Sequence, residues 1–387
     1  MGDNKAKTKI ALIVLCSILL FLIPLFTSCA KRKERFSVSF LKSEQAFVPA
    51  LTIQVGLGDL DGDGDLDAVY ANHSIHHSKV LFNDGTGHFS DSGQNLTQYG
   101  HGVGIGDIDG DGDLDILITC AGARDENRVF QRRPSKIYLN NGQGYFEDSG
   151  QDLGDTELSG NGIQLIDIDR DGDLDAHIYY YQESTNPYFH HIYLNDGKGA
   201  LAKSSDIRLP DGAKLFWKDL NGDNNLDVFA IVWDEGLRAY LNDGHLTFRQ
   251  CWEYRDKTFR YGDATLADFD SDGDADVVYA RRDGKKDDST LMFLNNGLGQ
   301  FELHPQRYEP VKLPELQNCD WNNDGASDVC IEQYRGDTLI WLNRGDGIFL
   351  DFGLRLAEEC VAVGDLDGDG DQDIIGKNAV WFNQWIR

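Results

Sequence analysis

This sequence is short of positive charge. Its 387 residues carry 36 Lys and Arg against 65 Asp and Glu, a formal net charge of −29. That balance argues against nucleic acid as a partner, because such binding rests on neutralising phosphates. No Gly-x-Ser-x-Gly, His-Glu-x-x-His or Gly-x-x-x-x-Gly-Lys-Ser/Thr run occurs, so the common signatures of hydrolases, zinc proteases and P-loop enzymes are missing. Cysteine is sparse too. Beyond Cys16 and Cys29 there are Cys120, Cys251, Cys319, Cys330 and Cys360, an odd set that cannot pair completely within one chain. Cys319 and Cys330 bracket an acidic loop and could meet across a hairpin, or they are simply small buried thiols.

What the chain has in abundance is one acidic loop, repeated seven times at intervals of roughly 45 to 60 residues, which signals a repeat architecture. The first copy places Asp59, Asp61, Asp63, Asp65 and Asp67 at alternate positions around Gly64. The second uses Asp107, Asp109, Asp111, Asp113 and Asp115, and the third Asp167, Asp169, Asp171, Asp173 and Asp175. In the fourth stand Asp219, Asn221, Asp223, Asn225 and Asp227, with Asn224 where the first has glycine. Asn tolerates positive φ, so that turn survives. The fifth copy is Asp268, Asp270, Asp272, Asp274 and Asp276. Asp320, Asn322, Asp324, Ala326 and Asp328 make the sixth, and Asp365, Asp367, Asp369, Asp371 and Asp373 the seventh.

Carboxylates at such spacing repel one another unless a cation sits among them. Calcium accepts many oxygen ligands at once, whereas magnesium prefers an octahedral shell and keeps its waters. Up to seven structural Ca²⁺ are expected. The carbonyl of the seventh loop residue, Asp65 in the first copy, would complete each shell. An EF-hand needs a glutamate at loop position twelve and flanking helices. Here position twelve is Tyr70 or Ile118, and the flanks alternate like strands, as Ile53, Val55 and Leu57 do. Seven calcium ions would offset roughly half of the net charge, so the acidity is poor evidence for a basic partner.

A second signature trails each of the first six loops: Asn83-Asp84-Gly85, Asn140-Asn141-Gly142, Asn195-Asp196-Gly197, Asn242-Asp243-Gly244, Asn295-Asn296-Gly297 and Asn343-Arg344-Gly345. Such pairs supply the positive φ of a hairpin turn. Each repeat then reads strand, metal loop, strand, connection, strand, turn, strand. That is a four-stranded antiparallel blade, and seven blades make an all-β propeller over residues 36–387. The seventh repeat stops after Ala379–Asn383. The segment Phe36–Phe40 alternates apolar and polar and is placed to supply the missing strand, which closes the ring and removes an edge.

These loops and turns resemble the FG-GAP/VCBS repeat family, the propeller type of integrin α subunits and many bacterial surface proteins. The resemblance covers nearly the whole chain after its first segment. Without the literal Gly-Ala-Pro element, the VCBS-like variant fits better. In that family the loops hold calcium structurally, which is what the resemblance implies for the seven loops named above.

Residues 1–28 read as a secretory signal: Lys5, Lys7 and Lys9, an apolar run from Ile10 to Phe26, then Thr27-Ser28-Cys29. Cys29 after small residues resembles a bacterial lipobox, implying lipid attachment there and a linker over 29–35. An uncleaved membrane anchor is the alternative. Either places the propeller outside the cytoplasm, as a monomer tied to the envelope; a secreted protein is the other localisation.

Topology divides the loops between two faces. The connections between second and third strands lie opposite the metal loops. They collect His73, His76 and His77, then Arg124, Arg128, Arg132 and Arg133, then Tyr181, Tyr188 and Phe189, then Arg281, Arg282, Lys285 and Lys286. Loops on a rigid scaffold are where recognition usually sits. Arg132, Arg133, Tyr181, Tyr188, Phe189, Arg281 and Arg282 are the expected ligand-binding set, for a glycan or an extracellular protein. The function expected is a non-enzymatic binding or adhesion module; a polysaccharide lyase is the alternative. Two Arg-Gly-Asp triplets, at Arg335 and Arg344, are read as chance.

Overall fold

Each of the seven acidic loops joins two strands that pair antiparallel, and a third and fourth strand complete the sheet. The computed structural model describes residues 38–45, 47, 51–124, 130–131, 133–154, 159–181, 188–209, 213–256, 262–281, 290–311, 314–333, 336–356 and 360–384. The expected signal, Cys29 and the linker lie outside these residues.

The first blade consists of Thr52–Gly58, Asp67–Asn72, Lys79–Asn83 and Phe89–Asp91, in that order. The second is Gly100–Gly106, Asp115–Cys120, Ser135–Asn140 and Phe146–Leu153. The next four begin with Ser159–Ile166, Ala213–Lys218, Gly262–Ala267 and Pro314–Cys319, each again four strands in sequence order. The register repeats as well. Gly58 faces Asp67 and Gly106 faces Asp115, while Asn83 faces Phe89 and Asn140 faces Phe146. The protein is a seven-bladed β-propeller.

The last blade is built from both chain ends. Cys360–Gly364, Asp373–Gly376 and Val380–Asn383 are its inner strands, and Phe40–Lys42 is its outer one. Phe40 pairs with Asn383 and Lys42 with Trp381. The N-terminal strand therefore closes the ring, but it is Phe40–Lys42 rather than Phe36–Phe40. Phe36 and Ser37 lie outside the described residues. Alternation of apolar residues marked the segment but not its pairing. The partner strand fixes that, through Gln384 N–H to the Ser39 carbonyl (2.7 Å) and Ser43 N–H to the Val380 carbonyl (2.8 Å).

The core lies between blades. Val69 and Val80 of the first blade pack with Val103, Ile116 and Ile118 of the second, and Phe229 of the fourth with Val277 and Phe293 of the fifth. First strands are glycine-rich because neighbouring blades touch there. A Cβ on Gly102 would stand 2.8 Å from the Cα of Gly162 in the next blade. In the sixth blade Cys319 faces Asp328 and Cys330 faces Gln317. The two thiols are thus diagonal rather than opposite, and Cys330 is a free buried thiol.

Candidate metal centres and the face opposite them

The closing aspartate of every loop is buried and anchored twice by backbone. Asp67 accepts the Leu60 N–H on Oδ2 (2.9 Å) and the Asn83 N–H on Oδ1 (2.8 Å). Asp115, Asp175, Asp227, Asp276, Asp328 and Asp373 repeat both contacts. One side chain thus ties the loop start to the end of the third strand. Burial pushes these carboxyls up, and the hydrogen bonds offset it only in part. Asp67, Asp115, Asp175 and Asp227 reach about 6, Asp276 and Asp373 about 7, and Asp328 about 8.

In five loops the first, third and closing residues bring three carboxylate oxygens within 4.8 Å of one another: Asp59, Asp61 and Asp67 in the first, and likewise in the second, third, fifth and seventh. Asp61 Oδ1, Asp109 Oδ1 and Asp270 Oδ1 are buried and have no hydrogen-bond partner among the described residues. Burial, then Asp63, raises the Asp61 carboxyl. A buried, unmatched carboxylate oxygen among like charges is the demand a hard cation meets. The donor set fits calcium.

The remaining loop positions shape the turn. Asp63 Oδ1 accepts the Asp65 N–H (3.0 Å), a contact repeated in all seven loops. The Asp65 carboxylate lies where a Cβ on Gly85 would be, 2.5 Å from Oδ2, and Asp113, Asp173 and Asp274 sit likewise against Gly142, Gly197 and Gly297. What the seventh position can offer the centre is its carbonyl, as Ala326 shows by having nothing else. Asn224 takes φ 65°, as the missing glycine requires.

The fourth loop differs. Asn221 Nδ2 donates to Asp223 Oδ2 (3.0 Å). Arg170, from the third blade's loop, reaches across to donate from Nη1 to Asn225 Oδ1 (2.9 Å). Burial would raise Asp223, but hydrogen bonds from Asn225 and Asn221 and the Arg170 charge bring it below its usual value. A protein cation already stands over this loop.

At six of the seven junctions the asparagine ending the third strand latches its blade to the previous one. Asn140 Nδ2 donates to the Leu60 carbonyl (2.8 Å), Asn195 to Ile108 (2.7 Å), Asn295 to Leu220 (2.9 Å) and Asn343 to Phe269 (2.8 Å). Asn383 reaches Trp321 (3.0 Å), and Asn83 reaches Leu366 across the ring closure (2.8 Å). Asn242 instead bonds Leu226 of its own blade. The third and fourth blades are joined through Arg170 and through the Trp217 indole N–H donated to His177 Nδ1 (3.0 Å).

On the opposite face the expected residues do not form one set. Arg281 is paired with Asp256, its side chain only 11% exposed. Phe189 is half-buried and packs against the core shared by the second and third blades. Arg132, Arg282 and the side chains of Tyr181 and Tyr188 lie outside the described residues. Arg133 is exposed and its guanidinium stands 4.9 Å over the Tyr99 ring. Tyr99 meets His73 edge-on at 6.0 Å. His73 Nδ1 is 2.9 Å from His101 Nε2, and His101 Nδ1 is 3.3 Å from Asn161 Oδ1. Burial, then the neighbouring His73, pushes His101 down to about 4; burial also lowers His73. His77 contacts the Leu96 carbonyl through Nδ1 (2.6 Å) and is a loop brace. Sequence reasoning missed Tyr99, His101 and Asn161. The signal was available in Gly100-His101-Gly102, a polar residue between two glycines at the mouth of a first strand. Arg344 and Asp346 pair with each other (3.2 Å), so that triplet is folded on itself; Arg335 lies outside the described residues.

Acidic loops on a closed ring of four-stranded blades define a metal-loop β-propeller. A family model for the FG-GAP-like repeat matches residues 59–118, 122–178, 219–279 and 320–376, and the chain belongs to that family. Comparison with curated proteins finds no sequence match. Among solved structures it is similar to BBS1N in complex with ARL6DN (TM-score 0.56, 12% identity, 90% of this chain and 96% of that one). It is also similar to the exotype rhamnogalacturonan lyase YesX (TM-score 0.53, 13% identity, 89% and 75%). A Lactobacillus plantarum protein matches at TM-score 0.53 and 11% identity, over 87% and 95%. At these identities the likeness is one of fold.

Proposed function

We propose that this protein is an envelope-anchored propeller, stabilised by calcium, that binds an acidic glycan on the face opposite its metal loops. Calcium would occupy the five three-carboxylate loops and, with an amide ligand, the sixth. It would supply positive charge among Asp59, Asp61 and Asp67 and their counterparts, holding these loops in the shape that, the third apart, the next blade's asparagine grips. The observation that carries the binding reading is Arg133 standing over Tyr99 beside two imidazoles. On a chain of net charge −29, an exposed guanidinium next to a ring suits a carboxylate-bearing sugar, with a fork for the carboxylate and a flat surface for the ring. A glycan array on calcium-loaded protein tests it. Acidic glycans should bind and neutral ones should not, and Arg133→Ala should abolish binding with an unchanged melt. Binding to an acidic protein alone would overturn the glycan assignment.

A second reading, a polysaccharide lyase, is favoured by one observation: the imidazole pair lies within the same cluster as the cation. The fold likeness to a rhamnogalacturonan lyase is compatible with it.

A further inference from the structure

We propose that His73 is a catalytic base, positioned by His101 and Asn161, which removes the proton beside the carboxylate of a uronic acid residue so that the chain is cleaved by β-elimination. The inference rests on the reading of this face as an acidic-glycan site.

Four observations converge. The first is a directed chain of contacts. Asn161 Oδ1 can only accept, so His101 Nδ1 carries the proton in that 3.3 Å contact. His101 is neutral, so its Nε2 holds a lone pair and must accept from His73 Nδ1–H at 2.9 Å. That leaves the lone pair of His73 on Nε2. The side chain is half-buried rather than sealed. Asn161 and His101 thus do for His73 what the third member of a nucleophile–base–orienter set does elsewhere: they fix the tautomer and take up part of the charge when the base is protonated.

The second is the nearby cation. Arg133 sits on Tyr99, and Tyr99 on His73. A uronate carboxylate forked by this guanidinium loses much of its negative charge, which acidifies the adjacent C–H. The third is protonation. Both imidazoles are held below their ordinary range by burial, so the base is free at neutral pH. The fourth is backbone strain. Ser74 and Tyr99 take φ of 64° and 61°, a conformation rare for such residues, and Tyr99 N–H bonds the Ser74 carbonyl at 3.1 Å. Strain of this kind gathers at functional sites. Two imidazoles serving only to fill space would require neither the strained supports nor a cation beside them.

The step balances without a co-reactant. His73 Nε2 takes the C5 proton. The C–H electron pair forms the C4=C5 double bond, and the C4–O bond breaks with its pair going to the departing oxygen. That oxygen gains a proton from water, and the imidazolium returns its proton to water. The products are a new reducing end and an unsaturated uronate.

The test incubates the calcium-loaded full chain with polygalacturonate, rhamnogalacturonan and alginate, following ultraviolet absorbance of the unsaturated product. At least one polymer should yield it. His73→Ala should lower kcat by about 100-fold or more, with partial recovery on adding imidazole. His101→Gln should lower kcat with little change in KM, and Arg133→Ala should raise KM as well. Binding without unsaturated product from any polymer would overturn this proposal and leave the recognition reading standing. Neither binding nor product would overturn both. A His73→Ala protein as active as wild type would place the base elsewhere and also overturn it.

Discussion

Each closing aspartate has two roles that one substitution can separate. In the fourth loop, where Arg170 reaches Asn225, Asp227 still accepts two buried N–H groups. Asp227→Ala should therefore destabilise the protein by about 2–6 kcal/mol with or without calcium, since each of the two orphaned donors costs about 1–3 kcal/mol. Asp61→Ala should lower the melting temperature mainly when calcium is present, because its buried Oδ1 has no hydrogen-bond partner among the described residues. Urea unfolding of both variants in calcium and in EDTA checks the contrast. Burial gives the seven closing carboxyls folded pKa values of about 6 to 8, above the 3.8 of a free aspartate. A raised carboxyl favours the protonated fold, so this contribution is full below about pH 4 and is lost as pH rises through 6 to 8. In EDTA the melting temperature should fall across that window. Calcium, which binds the ionised form, should stabilise progressively more over the same range. Equal slopes with and without calcium would exclude these residues as ligands. The loop aspartates were legible from spacing alone. That Arg170 serves the neighbouring loop was not, because the contact joins residues 55 positions apart and only blade packing brings them together. Arg170→Gly, with Asn221→Asp and Asn225→Asp, should add one calcium to the measured stoichiometry.

At the level of elements, the strand most exposed to loss is Phe40–Lys42. It carries Phe40 onto Trp321, rings 5.5 Å apart, and covers Trp381 through Lys42 at 5.1 Å. Deleting residues 38–43 should abolish cooperative unfolding or leave the protein insoluble, because it opens a sheet edge and uncovers apolar surface. A truncated protein that melts like the intact one would show that the seventh blade closes by another route. Blade count, strand order and the face of each loop could all be read from periodicity and turn residues. The exact closing strand could not, since three residues of register depend on a partner 340 positions away. Nor could the fate of Arg281: its sequence neighbours suggest an open loop, while the fold delivers Asp256 to it.

For the whole molecule, calcium bound as proposed would act on the junctions as much as on the blades. Apart from the third loop, each loop that a cation would shape is also the one whose carbonyl the next blade's asparagine grips. With sites of the weak extracellular kind, on the order of 10⁻⁴–10⁻³ M, ten-fold excess calcium should contribute about 1.4 kcal/mol per site. Chelation should lower the melting temperature and make unfolding less cooperative, with blades separating rather than melting singly. Calorimetry across a calcium titration measures this, and a transition unmoved by EDTA would refute structural calcium.

The latch has a direction. At six of the seven junctions an amide of one blade meets a carbonyl of the blade before it, so the ring has a sense of travel, like teeth cut at a slant. Nothing in that contact counts to seven. Away from the third and fourth blades, whose junction is built from Arg170 and Trp217 instead, a blade removed or duplicated as a unit would leave no latch donor or acceptor unmatched. The size of the circle is written instead in the length of the chain between its two ends, and a ring that opens has ends made to join those of another.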